Sequence, residues 1–544
     1  MNPFPIVRGA CGHDCPDTCS WIVEVDAGRA QKLYGDPHHP FTRGTLCAKV
    51  NHYIDRVYRP DRILHPLKRT GPKGAGQFTP VSWDEALADI AARWHAIIAE
   101  SGAEAILPYS LAGNQGLIQC ASLDQRLFGS MGCTRLKRDI CGTVATAGIT
   151  ATQGTGNGID PEDIVHSRFI VLWGTNTIVT NLHLWPFIQE AKSRGAKIVV
   201  IDPVRTRTAA AADWHLPIKP ASDAAFALAV IHVMIRDGLV DLDYVNAHAT
   251  GYDALALHVR DYSPAQVAPL TGLPEADIES FARQYATAAP SLIRPLIGME
   301  HHHNGPMLYR SIACLPILSG AWRHRGGGLF RSSGALQFSA LNTTNLLLPK
   351  HHLPGVRSLN MRDLGNDLCS STLAPPIRSL FVYNANPALT TPNQNRIRQG
   401  LLRAGLFTIV HDLFLTETAR YADYVLPATS QLEHLDIVPA WGHHYLSFNS
   451  PAIAPLGQAV SNTELFRRLA LALGRTEPWL FHSDEQLLRD ALSSSHPALA
   501  GITFESLRAN GYARLIARVI SLAEQAGFGV QVAAVEPRRR RPAR

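Results

Sequence analysis

Two stretches of the chain share one pattern: an apolar run, a polar turn, an amphipathic stretch and a second apolar run. In the first, Phe169-Ile170-Val171-Leu172-Trp173 ends in the turn Gly174-Thr175-Asn176. An uninterrupted apolar run of this length reads as a strand buried on both faces. Helical periodicity then occupies about 182–194, and Lys197-Ile198-Val199-Val200-Ile201 forms a second strand ending at Asp202. Strand, helix and strand in that order make the β-α-β unit of a parallel sheet. In the second stretch, Leu380-Phe381-Val382-Tyr383 turns at Asn384-Ala385-Asn386-Pro387, and Leu406-Phe407-Thr408-Ile409-Val410 leads to His411-Asp412.

The two stretches align at a constant offset of 210 residues. Asn176 matches Asn386, Asp202 matches Asp412, and Thr206, Thr208, Ala209, Ala212, Asp213, Leu216 and Pro217 match Thr416, Thr418, Ala419, Ala422, Asp423, Leu426 and Pro427. Identity held in register over this distance indicates an internal duplication. In open parallel sheets ligands sit beyond the carboxyl ends of the strands. Asp202 and Asp412 stand at such ends, where a carboxylate accepts hydrogen bonds from a ribose or a guanine edge. The neighbouring threonines either bond phosphates or cap helices. Two related nucleotide sites account for the duplicated set.

A different chemistry occupies the N-terminus. Cys11, Cys15 and Cys19 are spaced C-x3-C-x3-C, and Cys47 follows in Gly44-Thr45-Leu46-Cys47-Ala48-Lys49. Three close thiolates can hold three corners of an iron–sulfur cube, and a distant fourth closes the site. Structural zinc also takes four thiolates, but usually as two short pairs, so the spacing favours iron–sulfur. Cys120, Cys133, Cys314 and Cys369 follow no pattern and read as buried hydrophobic residues.

Composition narrows the class. At 544 residues the chain exceeds one hydrophobic core, and 46% hydrophobic with 18% charged residues is ordinary for a soluble enzyme. No apolar run is long enough to span a bilayer, so membrane insertion is not expected. The N-terminus carries neither a signal-peptide apolar region nor a twin-arginine pair, which points to the cytoplasm. The net charge of +6 includes Arg538, Arg539, Arg540, Arg541 and Arg544; without them it is +1. The basicity is thus a property of the tail, and a nucleic-acid partner is not expected.

Cysteine cluster motif, a lone downstream cysteine and two nucleotide-binding halves together resemble the dimethyl sulfoxide reductase superfamily, over about residues 9 to 510. The resemblance implies a molybdenum or tungsten ion held between two pterin guanine dinucleotides, with one [4Fe–4S] cluster. Cys11, Cys15, Cys19 and Cys47 would ligate the cluster, and Lys49 would assist electron transfer between cluster and pterin. Cys141, in Arg138-Asp139-Ile140-Cys141-Gly142-Thr143, falls where the family places the protein ligand to the metal; otherwise it is a buried inert thiol. One dinucleotide would lie around Trp173, Gly174, Asn176, Asp202, Arg205 and Asp223. The other would lie around Asn384, Asn386, Asp412, Thr416 and Asp423. The activity implied is that of a dehydrogenase or reductase passing electrons between a small substrate and a ferredoxin-like or other redox protein. A non-redox hydratase or transhydroxylase of the same superfamily, or a truncated iron–sulfur protein without catalysis, would keep the same motifs.

Three departures stand out. Gly142 follows the candidate ligand where formate dehydrogenases of the family carry histidine. Ala221 replaces a glycine common before Asp223. The β-rich C-terminal domain of the family has no counterpart after about Leu515, as though a frameshift had replaced the reading frame. Glu300-His301-His302-His303-Asn304 does not read as a metal site, because consecutive side chains diverge; the resemblance places it near the active site. Arg325-Gly326-Gly327-Gly328 reads either as a loop that lets backbone approach a cofactor or as a plain surface turn. The expected architecture is α/β and discontinuous. A cluster domain spans 1–60, one sheet domain combines 61–140 with 336–475, and a second spans 141–335. A helical segment (476–515) and a basic tail (516–544) complete it.

Overall fold

The duplicated stretches form the centres of two parallel sheets. Phe169–Trp173, Lys197–Ile201 and Trp214–Leu216 are adjacent strands in one, and Ser379–Tyr383, Phe407–Asp412 and Tyr424–Pro427 are adjacent in the other. Corresponding strands thus begin 210 positions apart and pair in the same order. The structure, a computed structural model, describes residues 4–111, 113–154, 158–516 and the backbone of 530 and 531. The expected basic tail lies outside the described residues, apart from Ile516 and that dipeptide backbone. The chain is α/β, with two related parallel sheets and a small N-terminal sheet, as its patterning predicts.

Among the described residues, one compact unit comprises Cys141–Leu336 and Gly442–His444. Its five-stranded sheet is parallel throughout, in the order Trp214–Leu216, Lys197–Ile201, Phe169–Trp173, Ser291–Pro295, Gly328–Leu329. Both faces are covered, so Phe169 to Trp173 are all buried. Val171, Trp173 and Val199 join Phe226 and Val230 of the helix Asp223–Arg236 and Phe281 of Glu275–Thr287 in one core. Each such side chain contributes about 1.5–3 kcal/mol on burial. The helix Thr143–Gln153 packs on Gly305–Leu318, and the contact is close because residue 148 is glycine: a Cβ there would overlap the Pro306 carbonyl oxygen.

The other unit comprises Met1–Ile140, Gln337–Trp441 and Tyr445–Ile516. Its main sheet runs Phe78–Pro80, Leu67–Arg69, Tyr424–Pro427, Phe407–Asp412, Ser379–Tyr383, Ile106–Tyr109. The last four strands are parallel, and the first two are added antiparallel at one edge. An antiparallel meander, Ile6–Ala10, Ser20–Asp26 and Arg29–Gly35, forms the N-terminal sheet. It is tied down by Asn449, whose Oδ1 accepts the Ala10 N–H at 3.1 Å while its Nδ2 donates to the carbonyls of Gln431 and His434. The stretch read as helical beyond 475 contains Asp484–Leu492 and Phe504–Asn510, then closes in the strand Tyr512–Arg514, which pairs with Tyr445–Asn449. Strand pairing to a distant partner leaves no local signature, which is why periodicity missed it.

Candidate functional site

The loop carrying the first three cysteines is the connection of a hairpin. Cys11 leaves one strand, Cys19 leads into the next, and the Cys11 N–H donates to the Cys19 carbonyl at 2.8 Å, closing the loop at its base. Thr18 takes a left-handed φ of 40° to complete the turn. Cys47 stands at the N-terminal cap of the short helix Ala48–Asn51, and its carbonyl accepts the N–H groups of Val50 and Asn51 at 3.0 Å. Gly35 permits this second loop to lie close, since a Cβ there would overlap the Gly44 backbone.

The four thiols share one electrostatic environment. Burial pushes the Cys11 thiol up to about 12, and the nearby Cys47 raises it further, while the His13 backbone N–H, Lys49 and Arg56 oppose the shift. Burial raises Cys19 well above the usual thiol range, with Cys11, Cys15 and Cys47 among the contributors. Burial likewise raises Cys15, together with Asp17, Cys11 and Cys47. Thiolates crowded in this way need a shared cationic centre to be stable. Yet among the described residues no three His, Cys, Asp or Glu side chains converge on a single-ion position. Four thiols in one electrostatic environment suit a shared metal centre, and their three-plus-one spacing favours a multi-iron body over one zinc ion. A polar atom is also left over in this loop: His13 Nδ1 is buried and has no hydrogen-bond partner among the described residues. Lys49 is exposed in the last turn of its short helix, and its charge acts on Cys11 and Asp14.

Cys141 opens the other unit, half-buried, directly before the helix Thr143–Gln153. Gly142 caps that helix with φ +73°, a conformation that favours glycine. A Cβ on Gly142 would lie 2.8 Å from Nη2 of Arg331. The space beside the Cys141 turn is therefore taken by a guanidinium. Arg331 Nη2 donates to Glu300 Oε1 at 2.7 Å, with side chains 10% and 1% exposed. Arg331 Nε and Glu300 Oε2 have no partner among the described residues. Of the run Glu300 to His303, the glutamate is thus the member turned inward, and His301 and His303 are exposed. Arg331 carries no signal in the sequence, because its partner lies 31 residues away on another loop.

The duplicated halves repeat in side-chain detail. Asn176 Oδ1 accepts the Thr208 hydroxyl at 2.9 Å, and Thr208 Oγ1 accepts the Ile178 N–H at 3.0 Å. Asn386 Oδ1 accepts the Thr418 hydroxyl at 2.7 Å, and Thr418 Oγ1 accepts the Ala388 N–H at 3.0 Å. Thr206 caps its helix by accepting the Ala209 N–H at 3.1 Å, and Thr416 accepts the Ala419 N–H at 3.4 Å. The threonines therefore act as caps and clasps. The turns they hold place Gly174 (φ +61°) and Asn384 (φ +50°), equivalent positions, in the left-handed region.

In the first half Gly174, Asn176 and Asp202 gather at the carboxyl ends of their strands, with Arg205 exposed in the next loop. Asp202 Oδ1 accepts the Val204 N–H at 2.9 Å. Trp173 is fully buried and donates its indole N–H to Asp223 at 2.8 Å, so both belong to the floor beneath that turn. Ala221, where the family pattern has glycine, takes φ +67° just before Asp223. In the second half Asn384, Asn386, Asp412 and Thr416 gather likewise. Burial raises the Asp412 carboxyl to about 6, against opposing backbone N–H groups of Leu413 and Phe414 and the charge of Arg56. Asn384 is already engaged, donating to the Gln119 carbonyl at 2.9 Å and accepting from Asn462 at 3.0 Å. Asp423 is not brought to this group. It lies at the amino ends of its strands, accepting the Thr408 N–H at 2.7 Å and pairing with Arg69 at 2.7 Å and Lys73 at 3.1 Å. Its duplicate Asp213 does the same with the Ile198 N–H and Lys192.

Known proteins carry the same organisation. Residues 62–472 match the family described as molybdopterin oxidoreductase, and residues 5–59 match the molybdopterin oxidoreductase Fe4S4 domain. The chain is 45% identical over 511 residues to the probable oxidoreductase YoaE of Bacillus subtilis, covering 93% of this chain and 74% of that one. It is 26% identical to the assimilatory nitrate reductase catalytic subunit of the same organism, covering 87% and 69%. Among solved structures, acetylene hydratase from Pelobacter acetylenicus superposes with a TM-score of 0.77 at 23% identity, covering 93% of this chain and 74% of that chain. The cofactors that go with these domains are a [4Fe–4S] cluster and a molybdenum or tungsten bis-pterin group. With its two duplicated sheets, its N-terminal thiol set and these matches over most of its length, the chain belongs to the molybdopterin oxidoreductase family of the dimethyl sulfoxide reductase type.

Proposed function

We propose that the chain is a dehydrogenase or reductase that exchanges two electrons with a small substrate and relays them singly to a ferredoxin-like or other redox protein. In this reading Cys11, Cys15, Cys19 and Cys47 ligate the [4Fe–4S] cluster, Lys49 stands on the electron path, and Cys141 is the protein ligand to molybdenum or tungsten. Gly174, Asn176, Asp202 and Arg205, over the Trp173–Asp223 floor, receive one dinucleotide. Asn384, Asn386, Asp412 and Thr416 receive the other, and Asp423 is assigned to sheet stability instead. The bound metal–pterin group supplies the two-electron chemistry.

The observation that carries the reading is the thiol quartet, four mutually interacting cysteines, with the charge of Lys49 acting on Cys11. Such a group serves one-electron transfer; a non-redox member of the superfamily would keep it too, so dependence of turnover on an electron acceptor is what separates the two readings. The chain's own contribution at the other centre is the Arg331 guanidinium beside the Cys141 turn. With its charge balanced by Glu300, the guanidinium still offers an Nε–H that has no partner among the described residues, which suits a substrate or product bearing a polar oxygen. Nine cysteines with no disulfide among them are in keeping with a reducing compartment such as the cytoplasm.

Elemental analysis of anaerobically purified protein, followed by a viologen-linked assay over oxyanions, N-oxides, S-oxides and formate, tests this. About four irons and one molybdenum or tungsten per chain, with acceptor-dependent turnover, are expected. Turnover without any electron acceptor replaces the proposal with a non-redox hydratase or transhydroxylase. Zinc in place of iron removes its first step.

A further inference from the structure

His13 lies in the loop between Cys11 and Cys15, and its environment restricts its chemistry. Its backbone N–H lowers the Cys11 thiol against the effect of burial, so the residue lies beside one corner of the thiol set. Its ring lies 5.5 Å from that of Tyr53, whose hydroxyl accepts the Gln431 N–H at 3.1 Å and so is itself fixed. The decisive contact is with Arg56, on the helix Tyr53–Val57: Arg56 Nη1 stands 2.8 Å from His13 Nε2. A guanidinium only donates hydrogen bonds. Nε2 must therefore accept, and the ring proton is placed on Nδ1, the buried atom with no partner among the described residues. An N–H buried without an acceptor costs about 1–3 kcal/mol, so His13 Nδ1 suits a sulfur acceptor of the group this loop would hold. The loop wraps the site read above as the cluster, whose sulfurs are acceptors.

We propose that Arg56 is a positioning residue for the iron–sulfur cluster: it locks His13 as an Nδ1–H donor, and that N–H bonds a cluster or cysteine sulfur. The inference rests on the cluster assignment to the four cysteines. A hydrogen bond to sulfur favours the more negative, reduced state, so the pair raises the cluster's potential. The step affected is the reduction of [4Fe–4S]2+ to [4Fe–4S]+ by one electron, which dithionite supplies in a titration. Arg56 also adds its own charge, which acts on Cys11 and on Asp412. One side chain thereby influences both the thiol set and an acidic residue of the second dinucleotide half.

The test uses whole, anaerobically purified protein, with iron counted first. Absence of iron defeats the cluster assignment itself; the remaining arms speak to His13 alone. In native protein grown with imidazole-15N histidine and reduced by dithionite, pulsed EPR is expected to show a nitrogen coupled to the cluster spin and an exchangeable proton near it. An iron-loaded cluster with neither signal overturns the proposal, and this arm needs no variant to fold. In EPR-monitored titrations, Arg56→Gln and His13→Phe are each expected to lower the equilibrium constant for reduction about tenfold, a shift of about 59 mV for one electron. Arg56→Lys, which still donates to Nε2, is expected to keep most of the native value. Native potentials in both iron-loaded Arg56→Gln and His13→Phe overturn the proposal as well.

Discussion

Replacing Glu300 with glutamine removes one charge and keeps the shape, which isolates the worth of the Arg331–Glu300 pair. The two side chains are almost wholly buried and meet at 2.7 Å. With charge centres about 4 Å apart and an effective dielectric of about 20, the attraction is about 4 kcal/mol. A neutral amide oxygen still accepts from the guanidinium and returns about 1 kcal/mol. The net loss is about 3 kcal/mol, at the lower end of what breaking a buried pair from one side usually costs. The loss falls on the loop entering Gly305–Leu318 and on the strand end after Gly328–Leu329, so hydrogen exchange of peptides spanning 297–304 and 328–336 is the direct assay. A fall in protection of about a hundredfold is expected there, with little change at Phe407–Asp412 in the other unit. The double variant Glu300→Gln/Arg331→Met, which leaves no buried charge, should recover part of the loss. Freed of its partner, Arg331 should also bind small oxyanions more tightly, as competition against the oxyanion panel would show. Unchanged protection in Glu300→Gln, with a double variant no better than either single one, would falsify the account of a coupled buried pair.

Other perturbations have equally definite outcomes. Cys141→Ala should abolish acceptor-linked turnover while leaving about four irons per chain; retained turnover would remove Cys141 from the metal's coordination. Ala221→Gly should raise stability by about 0.5–1 kcal/mol, because relief of a left-handed alanine, about 1–2 kcal/mol, exceeds the added flexibility of the unfolded chain. A lower melting temperature for that variant counts against strain at φ +67°. Burial raises the Asp436 carboxyl to about 8 even though it accepts the N–H groups of Ile118, Ile437 and Gln119. Its folded value lies above its unfolded one, so its contribution is full below about pH 4 and is lost as pH rises toward 8. Urea unfolding of native protein and Asp436→Asn should therefore show a native advantage that shrinks by a few kcal/mol between pH 5 and pH 8, and a constant difference would count against the shift.

What was legible in the sequence was whatever the chain encodes locally or repeats. Buried parallel strands announce themselves as unbroken apolar runs, so Phe169–Trp173 and Ser379–Tyr383 were visible, and a duplication doubles the signal of every residue it retains. The same repeat shows why identity alone misassigns roles. Asp213 and Asp423 match as exactly as Asp202 and Asp412 do, yet they close the amino ends of the strands, 15 residues from the Ile198 and Thr408 N–H groups they accept. Position along the strand, and not retention, separates a carboxylate that can face a ligand from one that buckles the sheet. Thr208 and Thr418 teach the same lesson, since both are spent on asparagine clasps. Arg331 and Arg56 left no trace in the sequence because each acts through a partner on another loop, 31 and 43 residues away. The two arginines share a further property that spacing cannot encode: each fixes a charge or a proton beside a cysteine assigned to a metal centre. A family profile records the thiols, whereas the groups that set their electrostatics are supplied by tertiary contact. In this chain those groups are Glu300 and Arg331 beside the Cys141 turn, and His13 and Arg56 beside the thiol set.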